Sequence, residues 1–250
     1  MERFHVQCND ILEIFTDQTY LNDDRIDLTS LETYTIDDPN TIEIDDAVSI
    51  EKEGSEYNIW IHIADPTSYI PFSSELDLLS RKRGITIYSP EKIITMLPRE
   101  LSIKCFSLTA NHVKPALSLS VRLGNDGSIK KYSLHKSFIK VKYNLTYEEA
   151  QELIELKPKE DSSLDTLKNL LIKRRQFRIG NGAIILEESQ GRIIIKKNIP
   201  RLKIIHPNEA RSMVSEAMIL MGNSIALYGK NYSLTLPYRS QNKASFNKEH

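Results

Sequence analysis

A short acidic stretch, TIDDPNTIEIDDAVSI from Thr35 to Ile50, constrains this chain more than any other part of it. Asp37, Asp38, Glu43, Asp45 and Asp46 put five carboxylates into ten positions, and Ile36, Ile42, Ile44, Val48 and Ile50 run among them in a strand-like pattern. Carboxylates about 4 Å apart repel by roughly 4 kcal/mol at an effective dielectric near 20, so a fold that gathers them calls for a hard divalent cation. Asp45 and Asp46 are adjacent and would point to opposite faces of a regular strand; both reach one site only across a bulge, a loop or a strand end. An acidic turn on the surface is the competing reading, because charge runs are usually solvated.

The rest of the composition bounds the class. With 250 residues, 40% hydrophobic and 27% charged, the chain can bury a sizeable core as one large domain or two small ones. Cys8 and Cys105 show no metal-ligand spacing and no disulfide framework; they read as small core residues and suit a reducing, cytoplasmic compartment. No apolar run reaches the roughly 20 residues that span a bilayer, and MERFHVQCND carries no signal-peptide pattern. A formal net charge of -1 gives no global attraction to a polyanion, so a nucleic-acid partner would need a local basic patch.

Along the chain, residues 1–26 read as a short helix and linker or the end of a preceding domain, and 27–250 as the main domain. SEYNIWIHIAD alternates as a half-buried antiparallel strand with Gly54 in the turn before it, and His62 near its end reads as structural. Ser74, with Asp77 three residues on, caps a helix that closes at Gly84. ITIYSPEKIITMLPRELS is an irregular loop draped over the core. ALSLSVRL and SIKKYSLHKSFIKVKY form a hairpin around Gly124 to Gly127, followed by a further strand. TYEEAQELIEL is a helix with a Thr146/Glu149 capping box. The next helix carries Lys173, Arg174, Arg175 and Arg178, and basic character continues through Arg192, Lys196, Lys197, Arg201 and Lys203 as the best footprint for a polyanion. AIILEE and GRIIIKKN read as strands, Pro207 opens a long helix whose Met213, Ala217, Leu220 and Met221 share a buried face, and SLTLPYRSQ reads as a final strand.

A glycine-rich phosphate loop, a nucleophile elbow and a paired-histidine zinc pattern are all missing, and the acidic stretch lacks the glycine and terminal glutamate of an EF-hand loop. All-oxygen ligands favour Mg2+ or Mn2+, ions that assist phosphoryl displacement, so the residues alone point to metal-dependent phosphodiester chemistry.

The sequence resembles the catalytic domain of the ribonuclease II family, the RNB exoribonucleases. Their signature, an Asp, an acidic residue six positions on, then an Asp pair before Ala and an apolar residue, is matched by Asp37, Glu43, Asp45, Asp46, Ala47 and Val48. The match continues in order through HIADPTSYI, SELDLLSRKRG, TIYSPEKIITMLPRELSIKCFSL, LTYEEAQ and EARSMVSEAMILMGNSIA, covering most of residues 27 to 240. The resemblance implies an α+β fold, mainly antiparallel sheet with packed helices, and Mg2+-dependent (or Mn2+-dependent) 3′-to-5′ hydrolysis of single-stranded RNA to nucleoside 5′-monophosphates, with no membrane and no obligatory protein partner.

Transferred by position, Asp37 and Asp46 would ligate the metal, Asp45 would assist the attacking water, and Glu43, where the family usually has Asp, would hold the ion's hydration shell. Tyr88 would stack on a base near the 3′ end, and Tyr147 and Arg239 would line the RNA path; Asp38 lies outside the matched set. A family arginine in a Ser-Pro-Ile-Arg-type motif, the cold-shock-like domains and the C-terminal OB fold are expected to lie beyond these 250 residues. That leaves an alternative expectation, a catalytically impaired RNA-binding or metal-binding remnant.

Overall fold

A computed structural model describes residues 24–158, 162–186, 188–197 and 199–240. The expectations for the N-terminal helix, for Cys8 and for the extreme C-terminal tail lie outside these residues.

Six strands make the main sheet: β1 (Ile26–Asp27), β2 (Thr33–Asp37), β3 (Asp46–Glu53), β4 (Glu56–Ala64), β7 (Val113–Leu123) and β8 (Ile129–Thr146), in the order β1-β8-β2-β3-β4-β7. β7 pairs with β8 as well, so five of the strands close into a ring. This closure depends on the length of β8, which runs unbroken for 18 residues where the sequence reads as two strands. Its first part pairs antiparallel with β7, and its last part runs parallel to β2. The connection between β7 and β8 turns at Gly127, whose φ of 84° favours glycine and whose Cβ position would fall 2.3 Å from the Lys173 carbonyl oxygen.

Two faces of β4 are both buried, rather than one. Ile59 and Ile61 meet the helices, while Trp60 and His62 face a second cluster with Ala47, Ala116, Ile139 and Val141. The alternation of Asn and His with Ile suggests a solvated face, but ring closure covers it. Helices α2 (Tyr147–Leu156), α3 (Ser163–Gly180) and α4 (Glu209–Asn231) pack on the first face through Ile154, Leu167, Leu171, Met213, Ala217, Leu220 and Met221.

Helix α1 (Glu75–Arg83) has the expected ends: Ser74 accepts from the Asp77 N–H at 3.2 Å and Gly84 is left-handed. The Thr146/Glu149 capping box of α2 is present, and α4 is capped by Asn208, with Pro207 one position outside. The loop after α1 contains a two-residue hairpin, β5 (Ile87–Tyr88) with β6 (Ile93–Ile94), and a six-residue π-helical turn at Leu101–Phe106.

A separate hairpin, β9 (Gln190–Lys196) with β10 (Ile199–Ile205), replaces the expected AIILEE strand. Residues 183–186 are irregular, and pairing falls instead on IPRLKII, where Pro200 is tolerated because a two-stranded hairpin leaves every strand an edge. Residues 234–240 are also irregular rather than a strand, and Leu236 and Tyr238 lie against Gly229 of α4.

Candidate active site

The acidic stretch spans two neighbouring strand ends. Asp37 is the last residue of β2, Asp46 the first of β3, and Asp45 lies just outside the strand, so adjacency of the two aspartates is resolved by a strand end. Backbone bonds fix the loop between them. Ser107 Oγ donates to the Ile42 carbonyl at 3.0 Å and accepts from the Ile44 N–H at 2.9 Å, Leu108 N–H donates to the Ile44 carbonyl, and Ala64 N–H donates to the Asp45 carbonyl at 2.8 Å. The loop is therefore anchored by main chain and Ser107, together with Asp38, whose carboxylate pairs with Arg192 and Arg211, and that anchoring does not draw on the carboxylates of Asp37, Asp45 and Asp46.

Their electrostatics record the crowding. Burial raises the Asp37 carboxyl to about 7, with further upward pushes from Asp46, Asp45 and Asp38. Burial and then Asp45 raise Asp46 to about 6. Asp45 is exposed along one edge, yet the protein packed around its carboxyl raises it too, with Glu43 adding. Asp37 Oδ2 is buried without a hydrogen-bond partner. Among the described residues no three acid, histidine or cysteine side chains already surround one point as metal ligands. The carboxylates are close neighbours rather than a finished cage, and an all-oxygen donor set with an orphaned oxygen fits a hard divalent cation.

Tyr88 comes from the β5–β6 hairpin to this cluster. It is 50% exposed, its hydroxyl interacts with the Glu43 carboxylate, and partial burial followed by the charges of Glu43 and Asp45 raises it. Tyr147, at the start of α2, packs partly into the core, and burial followed by Asp37 and Asp46 raises it to about 12. The structure thus brings Asp37, Glu43, Asp45, Asp46, Tyr88 and Tyr147 together. Arg239 lies exposed in the irregular segment after α4, and among the described residues no hydrogen bond or ion pair joins it to the cluster.

The basic footprint is narrower than the sequence implies. Arg174 is buried, donating to the Gly127 carbonyl and Asn223, and Arg178 makes a bidentate pair with Glu216 at 2.8 Å for both bonds; both cations serve packing. Cations instead gather beside the acids, where Lys92, Arg99, Arg192 and Lys203 line a cleft of about 730 Å³ with Asp38 and Tyr88. Arg211 on α4 reaches Asp38 from a neighbouring cleft, its guanidinium 3.9 Å from the Tyr147 ring centre and 2.6 Å from Asp38. Sequence reasoning missed Arg211 as a site residue, since its acidic partner is 173 positions away and no spacing reveals it. Ser107 was missed as well.

Residues 25–249 match the RNB domain model. A ribonuclease of Synechocystis is 37% identical over 222 residues, 87% of this chain and 33% of that protein. The chloroplastic/mitochondrial ribonuclease II of Arabidopsis thaliana is 36% identical over 224 residues, again 87% of this chain and 28% of that protein. The chain spans about a third of the length of the curated relatives it matches. Mycoplasma genitalium RNase R, solved with ribose-methylated single-stranded RNA, shares the fold with a TM-score of 0.81 at 24% identity over 86% of this chain and 35% of that one.

Proposed function

The chain belongs to the RNB family, and on that premise we propose that it carries the hydrolytic site of a divalent-metal-dependent 3′-to-5′ exoribonuclease that cuts single-stranded RNA to nucleoside 5′-monophosphates. The observation that carries this reading is the meeting of Asp37, Asp45 and Asp46 at two adjacent strand ends, each carboxyl raised and Asp37 Oδ2 without a partner. Neighbouring carboxylates in that condition are a site for positive charge, and an acid cluster beside a cation-lined cleft is a site for a phosphodiester.

Asp37, Asp46 and Asp45 would hold Mg2+ or Mn2+, with Glu43 bound through water, its extra methylene giving the reach for that role. The ion, when bound, offsets charge on the phosphate oxygens and orients the attacking and leaving oxygens. Asp45 would hold the attacking water and take its proton as the general base. Attack at phosphorus breaks the bond to the O3′ of the preceding nucleotide, leaving a 3′-hydroxyl on the shortened strand and a 5′-phosphate on the released one. Tyr88 offers a half-exposed ring beside the acids for stacking on the terminal base, worth about 1–3 kcal/mol and indifferent to sequence. Tyr147 forms the wall on the α2 side.

The test is a single-stranded RNA labelled at its 5′ end. With Mg2+ it is expected to shorten from the 3′ end with release of nucleoside 5′-monophosphates. Absence of release with both Mg2+ and Mn2+, or undiminished release by Asp45→Asn, overturns the assignment.

A further inference from the structure

Asp38 behaves differently from its neighbours in the acidic stretch, because both its oxygens are taken by guanidinium groups. Oδ2 accepts from Arg192 Nη1 of β9 at 3.1 Å, and Oδ1 from Arg211 Nη2 of α4 at 2.6 Å. Three elements remote in sequence meet on this one carboxylate. Arg211 is held further by the Tyr147 ring under its guanidinium at 3.9 Å, with Glu148 at 3.8 Å from the same nitrogen. The two arginines face different spaces: Arg192 lines the cleft of about 730 Å³ that also holds Tyr88, and Arg211 lines one of about 410 Å³ that also holds Tyr147. Asp38 therefore stands between two openings next to the hydrolytic carboxylates, with a cation on either side.

Two guanidiniums stand here against Asp38 and the more distant, exposed Glu148, so what the group offers a phosphate is directed donors rather than excess charge. Each guanidinium has five N–H donors, and among the described residues only the Nη1 of Arg192 and the Nη2 of Arg211 are engaged. The remaining N–H edges present the planar fork that matches a phosphate, and the shared acceptor fixes their orientation in advance.

We propose that Arg192 and Arg211, held in place by Asp38, form a two-pronged clamp for backbone phosphates of the RNA strand that enters the acidic site. The clamp rests on the exoribonuclease reading and adds residues to it. Its role is to hold the strand against the repulsion of the carboxylates, and Asp38 sets the spacing of the two prongs.

Salt dependence of RNA binding tests this, since each phosphate contact by a cation on a single strand contributes about 0.7 to the slope of log affinity against log salt. Binding of a single-stranded oligonucleotide is measured with Mg2+ in the Asp45→Asn background, alongside mononucleotide release by the unaltered chain. Arg192→Ala and Arg211→Ala are each expected to weaken binding about fivefold near 0.1 M salt and to reduce the slope by about 0.7, and the double variant by about 1.4. Arg192→Lys and Arg211→Lys should restore the slope while recovering only part of the affinity, which a merely structural role would not produce; melting curves check that the variants fold. Release by the unaltered chain with unchanged slopes in the Ala variants overturns the clamp and leaves the exoribonuclease reading standing. A chain that neither binds nor shortens RNA overturns the exoribonuclease reading, and the clamp with it.

Discussion

The strand pair β3–β4 carries two polar groups of opposite design one step apart. Asp46 pairs in register with Ile63, and Ala47, the next residue, pairs with His62. His62 is fully buried, but Ser49 Oγ lies 2.8 Å from its Nε2 and Ser118 Oγ 2.6 Å from its Nδ1, and Ser118 continues to Ser137 at 2.6 Å. Every strand from β3 through β4 and β7 to β8 contributes one member of that chain, and burial holds the imidazole neutral, pushing it down to about 3. At the start of β3 and the neighbouring end of β2, Asp37, Asp45 and Asp46 have like charges for neighbours, and one oxygen of Asp37 has no partner among the described residues. A buried polar group whose hydrogen bonds are complete holds the fold together, whereas one whose needs the protein leaves unmet is set aside for a ligand.

The largest expected break in that comparison is catalytic. Asp45→Asn keeps size and removes the proton acceptor, so mononucleotide release should fall roughly 10³-fold while the melting temperature stays within a few degrees. Gel analysis of RNA products beside a thermal melt checks both halves. On the structural side the pattern reverses. His62→Ala leaves Ser49 and Ser118 without their shared partner and opens a void, which should destabilise the protein by about 3 kcal/mol, lowering the midpoint by roughly 6–12 °C. Urea titration measures it, and a loss under 1 kcal/mol would refute a structural role for the histidine.

How much of this was legible follows the same division. Local chemistry read through directly: the Ser74 and Thr146 caps, the turn at Gly124 to Gly127 and the buried face of α4 each depend on residues within one or two turns of one another. The acidic signature marked the candidate site because its carboxylates are close in the chain, and the family motifs pointed to Tyr88 and Tyr147, which the fold brings beside those carboxylates. Long-range closure was not legible. A continuous β8 that hands over from β7 to β2, and so buries the Asn/His face of β4, leaves no local trace. Arg174 and Arg178 read as a free basic face because their partners, Gly127, Asn223 and Glu216, lie 38 to 49 positions away. Arg239 was assigned by position along the chain, and it lies exposed in an irregular segment.

A smaller effect separates the two groups by the sign of their pH dependence. His62, depressed in the fold, contributes stability that is present above its unfolded value near 6.5 and is lost as pH falls. Asp37 and Asp46, raised to about 7 and about 6, work the other way: in the metal-free fold their protons are held below those values, and the associated stability is lost as pH rises through them. The difference between melts with and without Mg2+ cancels the histidine and isolates the acids, because the ion competes with their protons. The Mg2+-induced rise in midpoint should therefore grow between pH 5 and pH 8, by on the order of 2 kcal/mol or roughly 4–8 °C. A rise of equal size at both pH values would mean that the ion binds elsewhere.

The smallest effect carries the most pointed sign. Asp37→Asn removes a charge that faces Asp46, Asp45 and Asp38, at an oxygen with no hydrogen bond to lose. Without metal at pH 8 the variant should be more stable than the unaltered chain by about 1 kcal/mol, a midpoint gain of roughly 2–4 °C, while its Mg2+-induced shift and its RNA hydrolysis disappear. An ordinary surface aspartate would give no change, and a structural one, like His62, would give a loss. A gain in stability accompanied by loss of metal response is the signature of a residue kept for its charge, and a calorimetric scan of the two proteins with and without Mg2+ reads it directly.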